Sequence, residues 1–251
     1  MLVILTNKKV SLIFLKVFLI ITFAKNLGLL VFTDLKMPEG LSLKDPLDSK
    51  LGKRIISNSI ELMDEIGFEA FTFRKLAIRM ESNETSLYRY FENKHMLLLY
   101  LVVWYWNWVS YLIDFNTHNI NDPDKKLDLI IENFVDATRE NPTVGFVNEK
   151  LLHRIIISES AKAYHTKAID EEYKCGFYHS YNALIQKVAD VILEINQEFP
   201  YPHSFAKSLF EMANNEIYYA LHLPKLTDVA VEEEDYQEVI DMLKFYKGRI
   251  M

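Results

Sequence analysis

Seven glycines in 251 residues, at positions 28, 40, 52, 67, 145, 176 and 248, never come within six residues of one another. Cradling a phosphate on backbone amides takes several glycines in one short turn, so every glycine-rich phosphate loop is excluded. There are also only seven prolines, and half of the chain is hydrophobic. So few turn-makers, with abundant Leu, Ile, Lys and Glu, predict long helices around a sizeable core, an all-α fold. A lone Cys175 excludes an internal disulfide and a multi-cysteine zinc site, and points to an intracellular, cytoplasmic protein.

Catalysis finds little support. The seven histidines (95, 118, 153, 165, 179, 203, 222) include no pair closer than twelve residues, so no helical metal pair exists, and neither metal nor cofactor is expected. Cys175, with His179 four residues on, is the one nucleophile-like arrangement. No third orienting group accompanies it, so an incidental thiol and a non-enzyme are the expectation.

The formal charge of −7 argues at face value against a partner as negative as DNA. Divided along the chain, it reads +2 over residues 1 to 49, +1 over 50 to 95 and −10 over 96 to 251. All the net negative charge therefore sits in the C-terminal two-thirds, and such asymmetry suggests parts with different jobs.

Residues 1 to 49 read as a leader. Val10 to Phe32 is almost wholly apolar and long enough to span a bilayer as a helix, yet Lys16 and Lys25 interrupt it. No small-x-small cleavage site follows, so a signal peptide fits poorly. Two readings stand: a membrane anchor, or an unstructured or mis-assigned leader with Met37 as the start and a flexible polar stretch to Lys50.

From Lys50 the periodicity is clear. Ile55, Ile56, Ile60, Met63 and Ile66 form one helical stripe, and Gly67 stands at the C-cap of a first helix over 51 to 66. Thr72 is an N-cap for a short second helix over 73 to 80, whose inward face is Leu76, Ala77 and Met80. After Glu81-Ser82-Asn83, Asn83 caps a third helix carrying Thr85 to Phe91. Two short helices joined by a three-residue break describe a helix-turn-helix, with the later helix as the reader. Leu87 and Phe91 anchor that helix, leaving Glu84, Thr85, Ser86, Tyr88 and Arg89 around the outer face. Short hydroxyls suit base edges, and a Tyr hydroxyl suits phosphate.

Thr72-x3-Leu76-Ala77 followed by Asn83-x2-Ser86-Leu87-Tyr88-x-Tyr90-Phe91-x2-Lys94-x2-Leu97 resembles the DNA-binding signature of the TetR (TetR/AcrR) family of bacterial transcriptional regulators. The resemblance covers about residues 51 to 98. It implies an all-helical homodimer with a three-helix domain over 50 to 95 on double-stranded operator DNA. A larger helical domain over 96 to 251 would bind an effector and carry the dimer interface. By position, Thr72, Arg74, Tyr88 and Lys94 are implied phosphate contacts. Thr85, Ser86, Arg89 and Tyr90 would face or border the major groove, with Asn83 and Glu84 close by. Tyr90 and Phe91 can equally be packing residues, and Lys94 a solvated residue of the next helix. The family usually has a glycine in the turn and an apolar residue after it, where this chain has Glu81 and Ser82. Either Glu81 is strained at positive φ, at about 1 kcal/mol, or the turn takes another path.

A fourth helix is expected from Asn93 to about Phe115. Trp104, Trp106 and Trp108 cannot share one of its faces. Trp104, Trp108 and Tyr111, with Phe134, Phe177 and Tyr181, are candidate linings for a flat apolar or aromatic effector, although core packing is the ordinary role of such a stripe. Further helices are expected at about 124 to 140, 146 to 168, 170 to 198, 203 to 222 and 234 to 247. The last two carry Phe205, Leu209, Phe210, Met212, Ala213 and Ile217, then Tyr236, Val239, Ile240, Leu243, Phe245 and Tyr246. These are the expected homodimer helices, unless the same faces pack internally. The functional expectation is a ligand-responsive repressor released from a pseudo-palindromic operator. A membrane-tethered helical interaction protein with a TetR-like fold and no operator binding is the alternative.

Overall fold

The computed structural model describes residues 37–137, 145–232 and 235–251, and these contain helices and turns but no strand beyond one isolated bridge between Glu232 and Asp235. The apolar run 10–32, the region around Pro142 and residues 233–234 lie outside the described residues. Helices follow as α1 (Lys50–Ala70), α2 (Phe73–Arg79), α3 (Glu84–Leu87), α4 (Lys94–Thr117), α5 (Pro123–Asp136) and α6 (Glu149–Glu159). After them come α7 (Ala161–Tyr164), α8 (Ile169–Lys174), α9 (His179–Ile195), α10 (Pro202–His222) and α11 (Gln237–Ile250).

Polar caps set the starts of the first helices. Ser49, Thr72, Asn83 and Asn93 each accept a backbone N–H in the first turn of α1, α2, α3 and α4, satisfying donors that a helix N-terminus leaves unpaired. Gly67 ends the regular part of α1 at φ +73, a conformation open to glycine, and the chain turns through Phe68 to Phe71. Gly52 is required for another reason: a Cβ there would stand 2.2 Å from the carbonyl oxygen of Pro46. That close approach belongs to residues 41–49, which pack on the protein and are no flexible leader. Leu41 is fully buried, and the N–H of Leu43 donates to the carbonyl of Tyr90 at 2.8 Å. Burial of Leu41 and Leu47 outweighs the polar character of this stretch.

α4 is the axis of the molecule. It is apolar and long enough to cross a membrane by length and composition, yet other helices of this chain bury most of it, and every residue from Leu97 to Trp106 is buried. The three tryptophans are all buried because they lie in the stretch Leu97 to Trp108, which is enclosed nearly all round and leaves no solvent face to which one must retreat. Trp104 stacks on Trp108, Trp108 on Tyr111, and Trp106 lies nearly parallel to Tyr181 at 4.6 Å. α6 packs along α1, while α5 and α9 flank the far half of α4. Two expected long helices are divided. Ser160 separates α6 from α7, and Gly176 at φ +79 separates α8 from α9.

The faces of α10 and α11 expected to form a dimer are largely spent inside the protomer. Phe205, Leu209, Phe210, Ala213, Ile217, Tyr236, Val239, Ile240 and Leu243 are buried against α5, α6, α9 and each other. Leu221, Phe245, Tyr246 and Ile250 remain exposed on the same two helices.

Candidate nucleic-acid interface and effector cavity

The helix-turn-helix is α2, the turn Met80–Asn83, and α3. Phe73, Leu76, Ala77 and Leu87 are buried beneath it, and Thr72, Arg74, Asn83, Thr85, Tyr88 and Arg89 are exposed, with Ser86 and Glu84 at intermediate burial. The turn follows the left-handed cap. Glu81 sits at φ +50, its N–H donates to Ile78 O at 3.1 Å, and Ser82 N–H donates to Ala77 O at 2.9 Å. Those two bonds are the Schellman pattern, so the path is the ordinary one and the strain falls on Glu81. Arg54 from α1 donates to Met80 O at 2.8 Å and holds the end of α2.

Capping leaves each polar side chain a free function. Thr72 Oγ1 accepts from Lys75 N–H at 3.2 Å and retains its own hydroxyl proton for an acceptor outside. Asn83 Oδ1 accepts from Thr85 N–H at 2.8 Å, which leaves its amide NH₂ to donate. Tyr88 is oriented by an edge contact with Phe73 at 5.0 Å, and its hydroxyl lies 3.4 Å from the Glu84 carboxylate. Among the described residues Arg74 and Arg89 have no ion-pair or hydrogen-bond partner, whereas Arg79 is held by Glu61 and Glu65 at 2.8 and 2.7 Å. α3 is only one turn long, and the chain bends through Tyr88, Arg89 and Tyr90 where the spacing predicts more helix.

Two expected contacts lie elsewhere. Tyr90 is buried, and its hydroxyl pairs with Ser49 Oγ at 2.7 Å, at the N-cap of α1. Lys94 Nζ donates to the carbonyls of Phe68, Glu69 and Phe71 at 2.9, 3.1 and 3.3 Å, with the Phe68 ring 4.6 Å away. All three ammonium protons therefore serve the C-terminal end of α1, where carbonyls lack helical partners and a cation is favoured. Sequence spacing placed both residues in the right segment but could not show which way they turn.

The end of α1 is also where the helical domain attaches. Glu159, at the end of α6, accepts from the N–H of Phe68 at 3.0 Å, and Lys162 bridges Glu159 and Glu69 at 2.6 and 3.1 Å. Lys162 lifts in pKa chiefly through its bond to Glu159, and Glu69 is lowered by Lys162. One helix turn and a half earlier, Arg154 grips Asp64 with two bonds of 2.7 and 2.5 Å. α6 is thus fixed to α1 at two points.

The same helix walls two cavities. One, of about 370 Å³, lies between α6, α10, Val231 and Tyr236, lined also by His153, Ile157, Ile217 and Leu221 among others. The other, of about 260 Å³, lies toward α4 and α9 and is bounded by Trp106, Ile156, Tyr164, Tyr181 and Phe210. Of the six expected lining residues only Tyr181 borders either of these cavities. Trp104, Trp108 and Phe134 are core, Tyr111 stacks on Trp108, and Phe177 packs against Gly40. His153, Asn214 and Trp106 were missed because they read as one more helical core position each.

This arrangement defines a class of fold: a helix-turn-helix unit with an appended helical domain. Residues 55–101 match the family model described as bacterial regulatory proteins, tetR family. The fold is similar to that of AibR in complex with isovaleryl coenzyme A and operator DNA, at TM-score 0.54 and 14% identity, covering 77% of this chain and 97% of that one. Apo AibR gives TM-score 0.51 at 13% identity, covering 77% and 96%. The fatty acid degradation regulator FadR from Bacillus halodurans gives TM-score 0.54 at 15% identity, covering 76% and 92%. None of the curated proteins compared with the chain matches it. Over residues 55–101 the chain is thus similar to the tetR family of bacterial regulatory proteins.

Proposed function

We propose that the protein is a repressor that binds a pseudo-palindromic operator as a homodimer and leaves it when a small molecule enters the helical domain. The observation that carries this reading is the outward strip Thr72, Arg74, Asn83, Thr85, Ser86, Tyr88 and Arg89 on a rigidly capped α2–turn–α3 unit. Hydroxyl, amide and guanidinium donors on one face suit phosphates and base edges. Glu84 and Glu81 on the same side limit non-specific affinity. Tyr90 and Lys94 support the unit from inside, as positioning residues.

Release follows from the attachment of α6. A ligand that displaces α6 pulls on Glu159 and Arg154, hence on the end of α1, and changes the separation of the two reading heads. The exposed apolar residues of α10 and α11 support a dimer through those helices. The isovaleryl coenzyme A bound by AibR favours an apolar or acyl molecule here too.

The test is selection of bound genomic fragments at low salt, followed by titration of the recovered site at increasing salt. Arg74→Ala is expected to reduce the slope of log affinity against log salt by about one and to weaken all sequences alike, and Arg89→Ala to alter base preference as well. Failure of the wild type to enrich any fragment refutes the operator reading.

A further inference from the structure

His153 is a buried polar group on the wall of the 370 Å³ cavity, which Lys150, Ser158, Tyr218 and His222 also line. It is almost completely buried, on the α6 wall, with its ring 5.8 Å from that of Tyr105. Its Nε2 lies 3.0 Å from Asn214 Oδ1. An amide oxygen only accepts, so Nε2 carries the proton and Nδ1 is left as an acceptor. Among the described residues Nδ1 has no partner. Burial pushes the imidazole down to about 4, against a smaller upward effect of Asn214, so the ring is neutral at physiological pH.

We propose that the cavity between α6, α10, Val231 and Tyr236 binds a largely apolar small molecule carrying one hydroxyl or N–H donor, which donates to Nδ1 of His153. The volume falls within the range of small-molecule sites, and Ile157, Ile217, Leu221 and Val231 supply the apolar walls. A carboxylate gains less. The neutral ring offers it a lone pair instead of a proton, and Arg154 at the rim is already bound to Asp64. A donor-bearing ligand satisfies a buried acceptor, which an apolar isostere leaves unpaired. This inference names the ligand class and site for the effector of the regulator reading and rests on that reading for its biological meaning, but binding is measurable without DNA.

Calorimetric titration of the full chain with 1-naphthol, naphthalene, 1-methoxynaphthalene and 1-naphthoate tests it. 1-Naphthol is expected to bind at least about tenfold more tightly than the other three, since it alone pairs a donor with the acceptor. In His153→Phe that preference falls to within about twofold, while Leu221→Trp, which fills the cavity from its exposed mouth, abolishes binding of all four. Equal affinity of wild type for 1-naphthol and 1-methoxynaphthalene overturns the proposal, as does tightest binding of 1-naphthoate, absence of any binding, or a preference that survives in His153→Phe. If His153→Phe does not fold, the four-ligand series on the wild type decides alone. Operator titration of unliganded wild type, run alongside, separates failure of this site from failure of the DNA-binding reading.

Discussion

Glu81 holds the turn of the reading head in a backbone conformation that its side chain opposes. At φ +50 a residue with a Cβ bears a cost of about 1 to 2 kcal/mol, which glycine escapes. Glycine in turn has more unfolded-state freedom to lose, on the order of 0.5 to 1 kcal/mol. Substitution also removes a carboxylate from the C-terminal end of α2, where the helix dipole disfavours it by about 0.3 kcal/mol at an exposed site. Glu81→Gly is therefore expected to stabilise the protein by about 1 kcal/mol, a rise in Tm of roughly 2 to 4 °C for a chain of this size. Glu81→Gln removes the charge and keeps the strain, so it is expected to recover only about 0.3 kcal/mol. Urea unfolding midpoints of the three proteins make the comparison. If Glu81→Gly is no more stable than Glu81→Gln, the left-handed cap carries no strain and the reasoning fails. Operator affinity gives an independent check, because both variants remove the same charge and should gain equally.

Three further perturbations address particular contacts. Lys94→Met keeps the stem on Phe68 but removes the ammonium from the carbonyls of Phe68, Glu69 and Phe71, of which Phe68 keeps the Phe71 N–H, and is expected to cost about 1.5 to 3 kcal/mol in denaturant unfolding while the salt slope of operator binding stays as in wild type. A slope reduced by one would instead return Lys94 to the phosphates. Glu159→Ala strips the Phe68 N–H of its acceptor, so hydrogen exchange at that amide should accelerate at least tenfold. Unchanged protection there would detach α6 from the coupling. Because the folded pKa of His153 lies below that of the unfolded chain, its contribution is fully present above about pH 6.5 and is lost as the pH falls toward 4, by about 3 kcal/mol. His153→Gln should flatten that part of the stability curve, and a curve superimposable on wild type would show that the imidazole is not desolvated.

Much of the reading head was legible because capping chemistry is local. Thr72, Asn83 and Asn93 act within three residues of themselves, and the αL strain at Glu81 follows from the absence of glycine in a turn of fixed length. Helix boundaries around 160 and 176 were not legible. There the apolar period continues through Ser160 and Gly176, and only packing against neighbouring helices decides whether the chain breaks.

The chain by itself determined an all-α fold, the helix-turn-helix, its caps and the family resemblance, since each rests on residues close in sequence. Only the tertiary structure decided that Tyr90 and Lys94 turn inward, that three tryptophans are core, that α6 and not α4 alone is tied to the reading head, and that a buried neutral histidine borders the cavity. Those are contacts between residues from about 26 to 91 positions apart, and their energy depends on which surfaces meet, a quantity that no local pattern of residue types contains.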